Sequence, residues 1–259
     1  MKKTIIALTL LLVGVTSMTA QKEKKDFQLF NHLGLSVGVG LTGITADLST
    51  TCTPFLGIRA GADIMPKFHK SFNMDVAFEN GAMPTGMSLP EQVKVKGTPT
   101  MHAGHLLIDV FPGRKTCFHF TVGAYYYPKS SIVELISRDD VWSQIEAYNT
   151  AVGETSGKRI GLELGDYFLT PQNGQIDASI RTKNFRPYFG FGSGRSVPKK
   201  RLGFQFDAGV QLWGKPEVYL GDHKLEKGET NADGNKILKV VSKIKVYPSI
   251  SFRLVGRII

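Results

Sequence analysis

Apolar and polar residues alternate with a period of two along much of this chain, in short segments spread from residue 33 to residue 254. Successive side chains of an extended strand point to opposite faces, so each such segment must separate two different environments. Leu33, Leu35, Val37, Val39 and Leu41 alternate with Gly34, Ser36, Gly38 and Gly40. The phase then slips to Ile44, Ala46 and Leu48 against Thr45 and Asp47, as a bulge or bend at Gly43 would produce. Leu56, Ile58, Ala60, Ala62 and Ile64 oppose Gly57, Arg59, Gly61 and Asp63, and Phe72, Met74, Val76 and Phe78 oppose Asn73, Asp75 and Glu79. The pattern returns at Leu106 to Val110, Phe118 to Tyr126, Phe189 to Gly194, Leu202 to Leu212 and Ile250 to Leu254. This makes roughly eight segments, each near the ~9–11 residues that a tilted membrane strand requires.

A soluble antiparallel sandwich alternates as well, with its apolar face inward. Two features favour a membrane barrel. The second face mixes small residues with charges, as a narrow polar lumen would. The apolar stripes also end in aromatics (Tyr125-Tyr126-Tyr127, Tyr188, Trp213, Tyr219, Tyr247), in the manner of interfacial girdles. The chain has 28 glycines, many of them on the strand-like segments. Glycine weakens an ordinary strand, so this use points to close backbone approach or a crowded barrel interior. The expected fold is therefore all-β: an antiparallel transmembrane barrel of about eight strands over residues 31–259, with long polar loops and one or two short helices.

The first twenty residues have the three parts of a secretory leader: Lys2-Lys3, an apolar run from Ile5 to Val15, and a small residue, Ala20, at the expected cut. Residues 21–30 form a short polar segment before the first strand. Every later apolar run is broken by Gly, Pro or charge, so a helical membrane protein is not expected. The formal charge is +10, but the basic residues lie scattered in loops and tails without a recognition motif. Nucleic acid is accordingly not an expected partner, and anionic lipid headgroups or a solvated surface fit better.

Short turns are expected around 49–54, 112–115 and 197–200, and long polar connections over 66–100, 128–175 and 214–243. In outer-membrane barrels such short turns lie on the periplasmic side and the long loops outside. The 128–175 insert should hold a short helix capped by Asp139, with Val141, Ile145 and Tyr148 on one face, and a second helix is expected near Ile237 to Val241. Cys52 and Cys117 fall at turns on the same rim, where a disulfide is possible. Arg59, Asp63, Asp75, Asp109, Asp207 and Arg253 fall on the polar face. Mutual ion pairing across the lumen is the simplest expectation for them, and a polar path for a small solute is the alternative.

Catalytic, cofactor and metal sites are not expected. Glu229 to Asn235 has the look of a calcium loop, but its twelfth position is Val240, where a bidentate carboxylate belongs. Gly190-Phe191-Gly192-Ser193-Gly194 lacks the helix and acidic residue of a dinucleotide fingerprint. His102, His105 and His119 show no nucleophile at a telling spacing and read as lumen or strand-end residues.

Arg186-Pro187-Tyr188-Phe189-Gly190-Phe191-Gly192, then Gly203 to Val210, then Gly214-Lys215-Pro216-Glu217-Val218, resemble a pattern of small Gram-negative outer-membrane barrels. Asp109 to Pro112 with Phe118 to Gly123, and Val246-Tyr247-Pro248, are similar to further strands of that group. The resemblance is to OmpA/OmpW-like proteins of Bacteroidetes-type envelopes, and the Ala20-Gln21 junction is similar to signal cuts there. It implies an outer-membrane location, with outer-membrane lipid and the barrel-assembly machinery as partners. Such chains commonly end in an aromatic residue, whereas this one ends Arg257-Ile258-Ile259. The expected function is a structural or interaction barrel with a narrow or plugged lumen. The alternatives are a passive pore for small polar solutes, an envelope lipid-modifying enzyme and a soluble periplasmic binder.

Overall fold

A computed structural model of the chain describes residues 32–79, 87–153, 157–165, 167–225 and 245–258. The leader, the 229–235 loop and the helix expected at 237–241 lie outside the described residues. Along the chain, β1 (Leu33–Gly40), β2 (Gly43–Thr53) and β3 (Leu56–Ile64) are followed by β4 (Lys70–Phe78) and β5 (Gln92–Pro99). Then come β6 (His102–Val110), β7 (Phe118–Tyr126), β8 (Ser131–Ser137), helix α1 (Val141–Tyr148) and a π-type turn over Asn149–Gly153. The rest is β9 (Ile160–Leu164), β10 (Tyr167–Leu169), β11 (Ile176–Arg181), β12 (Phe185–Ser193), β13 (Leu202–Leu212), β14 (Glu217–Leu220), β15 (His223–Lys224) and β16 (Val246–Arg257).

Eight of these strands close into an antiparallel barrel in the order β1-β16-β13-β12-β7-β6-β3-β2. The phase slip near Gly43 is a hairpin rather than a bulge: Gly40 pairs with Gly43 around Leu41-Thr42, and Gly43 takes φ +111°, which favours glycine. The turns after β2, β6 and β12 lie at one end with the strand ends nearest both termini, and the long connections leave from the other end. Cys52 and Cys117 sit at the short-turn rim as free thiols, Cys52 buried and Cys117 exposed.

Among the described residues the long connections are not polar loops. They build a second eight-stranded sheet, β10-β9-β4-β5-β8-β11-β14-β15. Its central order, β4-β5-β8-β11-β14, repeats the barrel order β3-β6-β7-β12-β13, because each of these strands continues a barrel strand beyond the rim. The join is continuous: Tyr127 N–H bonds Asn184 O at 2.9 Å, Thr182 N–H bonds Ser130 O at 2.9 Å, and Lys183 N–H bonds Trp213 O at 3.1 Å. The segment at Phe72 to Phe78 belongs to this extension and not to the barrel, and Asp75 is exposed there rather than in the lumen. Helix α1 forms where expected, but its N-cap is Asp140, without a side-chain cap bond, and Asp139, one residue earlier, accepts from Val141 N–H at 3.3 Å. Its Trp142 and Ile145 are completely buried against Val93, Leu135, Ile160, Leu162, Ile176 and Val218.

Candidate functional site

The interior of the barrel gathers the charged side chains that the alternation places on one face. Ser36, Thr45, Asp47, Ser49, Arg59, Asp63, His105, Asp109, His119, Thr121, Gln205, Asp207, Ser251 and Arg253 are all buried. They point inward because strand parity puts them opposite the apolar stripe, and eight strands leave an interior that side chains fill. Arg59 is central. Its Nη1 and Nη2 donate to the two Asp207 oxygens at 3.0 Å each, and Nη2 also donates to Asp109 Oδ1 at 2.8 Å. Arg253 reaches Asp207 Oδ2 at 2.5 Å through Nη1, and its Nε lies 2.7 Å from Asp47 Oδ2. Bidentate guanidinium–carboxylate pairing of this kind is both strong and geometrically specific.

Two histidines complete the network. His105 Nε2 lies 2.6 Å from Asp47 Oδ1 and its Nδ1 lies 3.5 Å from Asp63 Oδ1. His119 Nε2 lies 2.9 Å from Asp207 Oδ1. Ser36 donates to Asp47 at 2.9 Å and Thr121 donates to Asp109 at 2.8 Å. Four carboxylates thus face two guanidiniums and two imidazoles inside one closed wall. Asp109, His119 and Asp207 hold ligand-type atoms within 4.8 Å of one another. The Arg59 guanidinium bonds both of those carboxylates, and so takes the place a bound cation would occupy.

Buried side chains stand at both ends of the lumen. At the long-connection end Tyr125, Tyr127, Tyr188 and Trp213 point inward and are buried. They are not an interfacial girdle, as their position at the stripe ends suggested, but a stopper. Tyr125 packs edge-on to Tyr188 with centroids 5.5 Å apart, and the Arg186 guanidinium lies 3.5 Å from the Tyr127 ring centroid. Tyr127 also donates to Gln211 at 2.9 Å. At the short-turn end the β12–β13 turn folds inward: Ser196 and Val197 are buried, and the Ser196 carbonyl accepts from Ser49. A methyl group added at Gly34 would strike the Ser49 hydroxyl and the Ser196 carbonyl, and one added at Gly57 would strike the Ser196 hydroxyl. The crowded interior is therefore what these two glycines serve. Phe111, beside His119 at 5.3 Å, lies under the Arg195 guanidinium on the same floor.

Of the residues singled out from sequence, Arg59, Asp63, Asp109, Asp207 and Arg253 come together in the lumen. Asp47, His105 and His119 join them as equal members, and His102 is half-buried at the start of β6. Arg186 was missed as well, although it shares strand parity with Tyr188, the signal that would have placed it inside.

No known protein family matches the chain, and no curated protein matches it. Among solved structures, CarO of Acinetobacter baumannii is similar at 14% identity with a TM-score of 0.46, covering 88% of this chain and 99% of that chain. CarO2 of Acinetobacter baumannii is similar at 18% identity with a TM-score of 0.48, covering 89% of this chain and 99% of that one. At such identity neither structure assigns a residue or a role to this chain.

Proposed function

We propose that the chain is an outer-membrane β-barrel that holds a surface-exposed β-extension in place and keeps its lumen closed, a structural or interaction role rather than a catalytic one. One observation carries the reading: the barrel is inside out relative to a water-soluble protein. Phe204 is 82% exposed, Leu202 64%, Val39 60% and Phe252 59%, while Asp109 and His119 are completely buried. Exposed apolar side chains occur on each barrel strand, among them Leu35 on β1, Leu48 on β2, Ile64 on β3, Leu106 on β6, Phe120 on β7 and Phe189 on β12. Soluble proteins rarely present contiguous apolar surface of this kind, whereas hydrocarbon demands it.

Closure of the backbone ladder satisfies the second demand of a bilayer, that spanning strands leave no unpaired edge. The leader read at residues 1–20 supports export, and the turns after β2, β6 and β12 at one end, with the long connections and the tight β1–β2 hairpin at the other, match the periplasmic and outer sides of a Gram-negative envelope. The resemblance of residues 186–218 to small OmpA/OmpW-like barrels of Bacteroidetes-type envelopes supports the same placing. A solute path is opposed by the aromatic stopper, the ion-paired middle and the inward turn at Ser196. The catalytic alternative is opposed by the lumen histidines, which are held against carboxylates in a closed interior.

Tryptophan placed at Phe252 or at Gln205, in protein reconstituted into vesicles with brominated acyl chains, tests the reading. Fluorescence at position 252 should be strongly quenched and that at 205 spared. Equal quenching, or none at 252, would show that this face does not meet lipid.

A further inference from the structure

Charge is sorted by height along the strands in a way the alternation does not require. Among the described residues every acidic side chain lies either in the lumen (Asp47, Asp63, Asp109, Asp207) or in the extension and its loops. Among the described residues, five of the segments where the chain crosses between barrel and extension carry a lysine, the β5–β6 crossing at Thr100-Met101 does not, and none of these crossing residues is a carboxylate. Lys67 follows β3, Lys129 follows β7, Lys183 precedes β12, Lys215 follows β13 and Lys245 precedes β16. All five are exposed, and none is in an ion pair among the described residues. Because β16, β13, β12 and β7 are neighbours in the barrel, four of the lysines form an arc along one rim, and Lys67 extends it past β6.

This arc sits just where the outward apolar belt stops. Tyr126, Phe185, Leu212 and Val246 are exposed apolar residues within three positions of Lys129, Lys183, Lys215 and Lys245 respectively. A lysine outside any ion pair among the described residues, at the edge of a hydrocarbon-facing surface, lies at the level of headgroups, and its long stem lets the ammonium reach into them. We infer that Lys67, Lys129, Lys183, Lys215 and Lys245 form a collar that binds the phosphate groups of anionic lipid headgroups in the leaflet around the long-connection rim. The inference rests on the membrane reading above and adds to it the class of lipid preferred.

The full chain without its leader, refolded from urea into vesicles, tests it. Insertion is read as the gain of a heat-modifiable gel form, in phosphatidylcholine alone and in an equal mixture with phosphatidylglycerol, at low and at high salt. The mixture should be preferred at low salt, and each collar lysine changed to Gln should lower that preference by up to about fivefold. Salt should erase the preference, since headgroup and ammonium are both solvent-exposed. A charge-matched control carries Gln at Lys94, Lys96, Arg138, Lys158 and Lys224, all on the extension. Detergent-refolded samples of each variant confirm that the barrel forms.

Loss of the preference in the collar variant but not in the control supports the collar. Equal loss in both would mean that net charge alone is responsible, and would overturn it, as would a wild-type chain with no preference. Failure to insert into either kind of vesicle would instead overturn the membrane reading itself.

Discussion

The lumen and the core of the extension lie on one continuous face of the same strands, yet they are chemical opposites. Along β7 into β8 that face runs His119, Thr121, Tyr125, Tyr127, then Ser131, Val133 and Leu135. Along β12 back into β11 it runs Tyr188, Arg186, then Ile180, Ala178 and Ile176. The outward face inverts in step, from Phe120 and Phe189 on the barrel to Lys94, Lys96 and Asp177 on the extension. The strands pass through the join with a single register shift between β8 and β11, at Ser131–Val133 opposite Ile180 and Arg181, so the inversion is not a change of fold. On the membrane reading proposed above, it marks the height at which the surroundings change from hydrocarbon to water, and the proposed lysine collar stands at that height.

If the lower core is held by charge and the upper by apolar packing, the two should fail differently. Arg59→Met leaves Asp109 and Asp207 buried without their main partner, and should cost about 3–5 kcal/mol in urea unfolding from vesicles. Replacing both aspartates by Asn in the same variant should recover a large part of that loss. Trp142→Ala should cost about 3–5 kcal/mol as well, but within the extension. Limited proteolysis should then cut the extension while the barrel keeps its heat-modifiable form. Loss of both together would show that the two cores are a single cooperative unit.

Outward positions sharpen the contrast. Phe252→Lys, in the middle of β16, should cost about 2–4 kcal/mol of membrane stability, whereas Asn73→Lys on the outer face of the extension should stay within about 0.5 kcal/mol. Comparable costs would remove the distinction between the two outer faces. The smallest effect is expected at Glu217, whose carboxyl is held below its ordinary range by the hydrogen bond from Lys224 at 2.5 Å. A lowered carboxyl contributes stability above its unfolded pKa and loses it as pH falls through the folded value. Both groups are largely exposed, so the acid-side loss should be slight. Glu217→Gln should abolish it in hydrogen exchange of the β14 amides.

Much of the barrel was legible in the sequence. Parity alone separates Arg59, Asp63, Asp109, Asp207 and Arg253 from the apolar stripe, and lumen pairing is where they are found. What parity does not report is which of the two faces meets water. Phe72 to Phe78 therefore resembled a barrel strand, although its apolar side packs under α1 in the extension. The same blindness made a girdle of Tyr125, Tyr127, Tyr188 and Trp213, which lie on the inward face. Only Tyr126, of opposite parity, is exposed among the three consecutive tyrosines. The pairing of long connections into one sheet was not legible, because β4, β5, β8, β11 and β14 meet only through long-range register.

The closed lumen is most directly tested by single-channel recording of the purified, reconstituted protein in planar bilayers. Arg59, Arg253 and their carboxylates fill the middle, with the aromatic stopper on one side and the Ser196 turn on the other. The wild-type protein should therefore insert without producing stable conductance, leaving at most brief, irregular events. Long-lived, ion-selective steps from protein with intact heat-modifiability would contradict a sealed barrel and establish a pore.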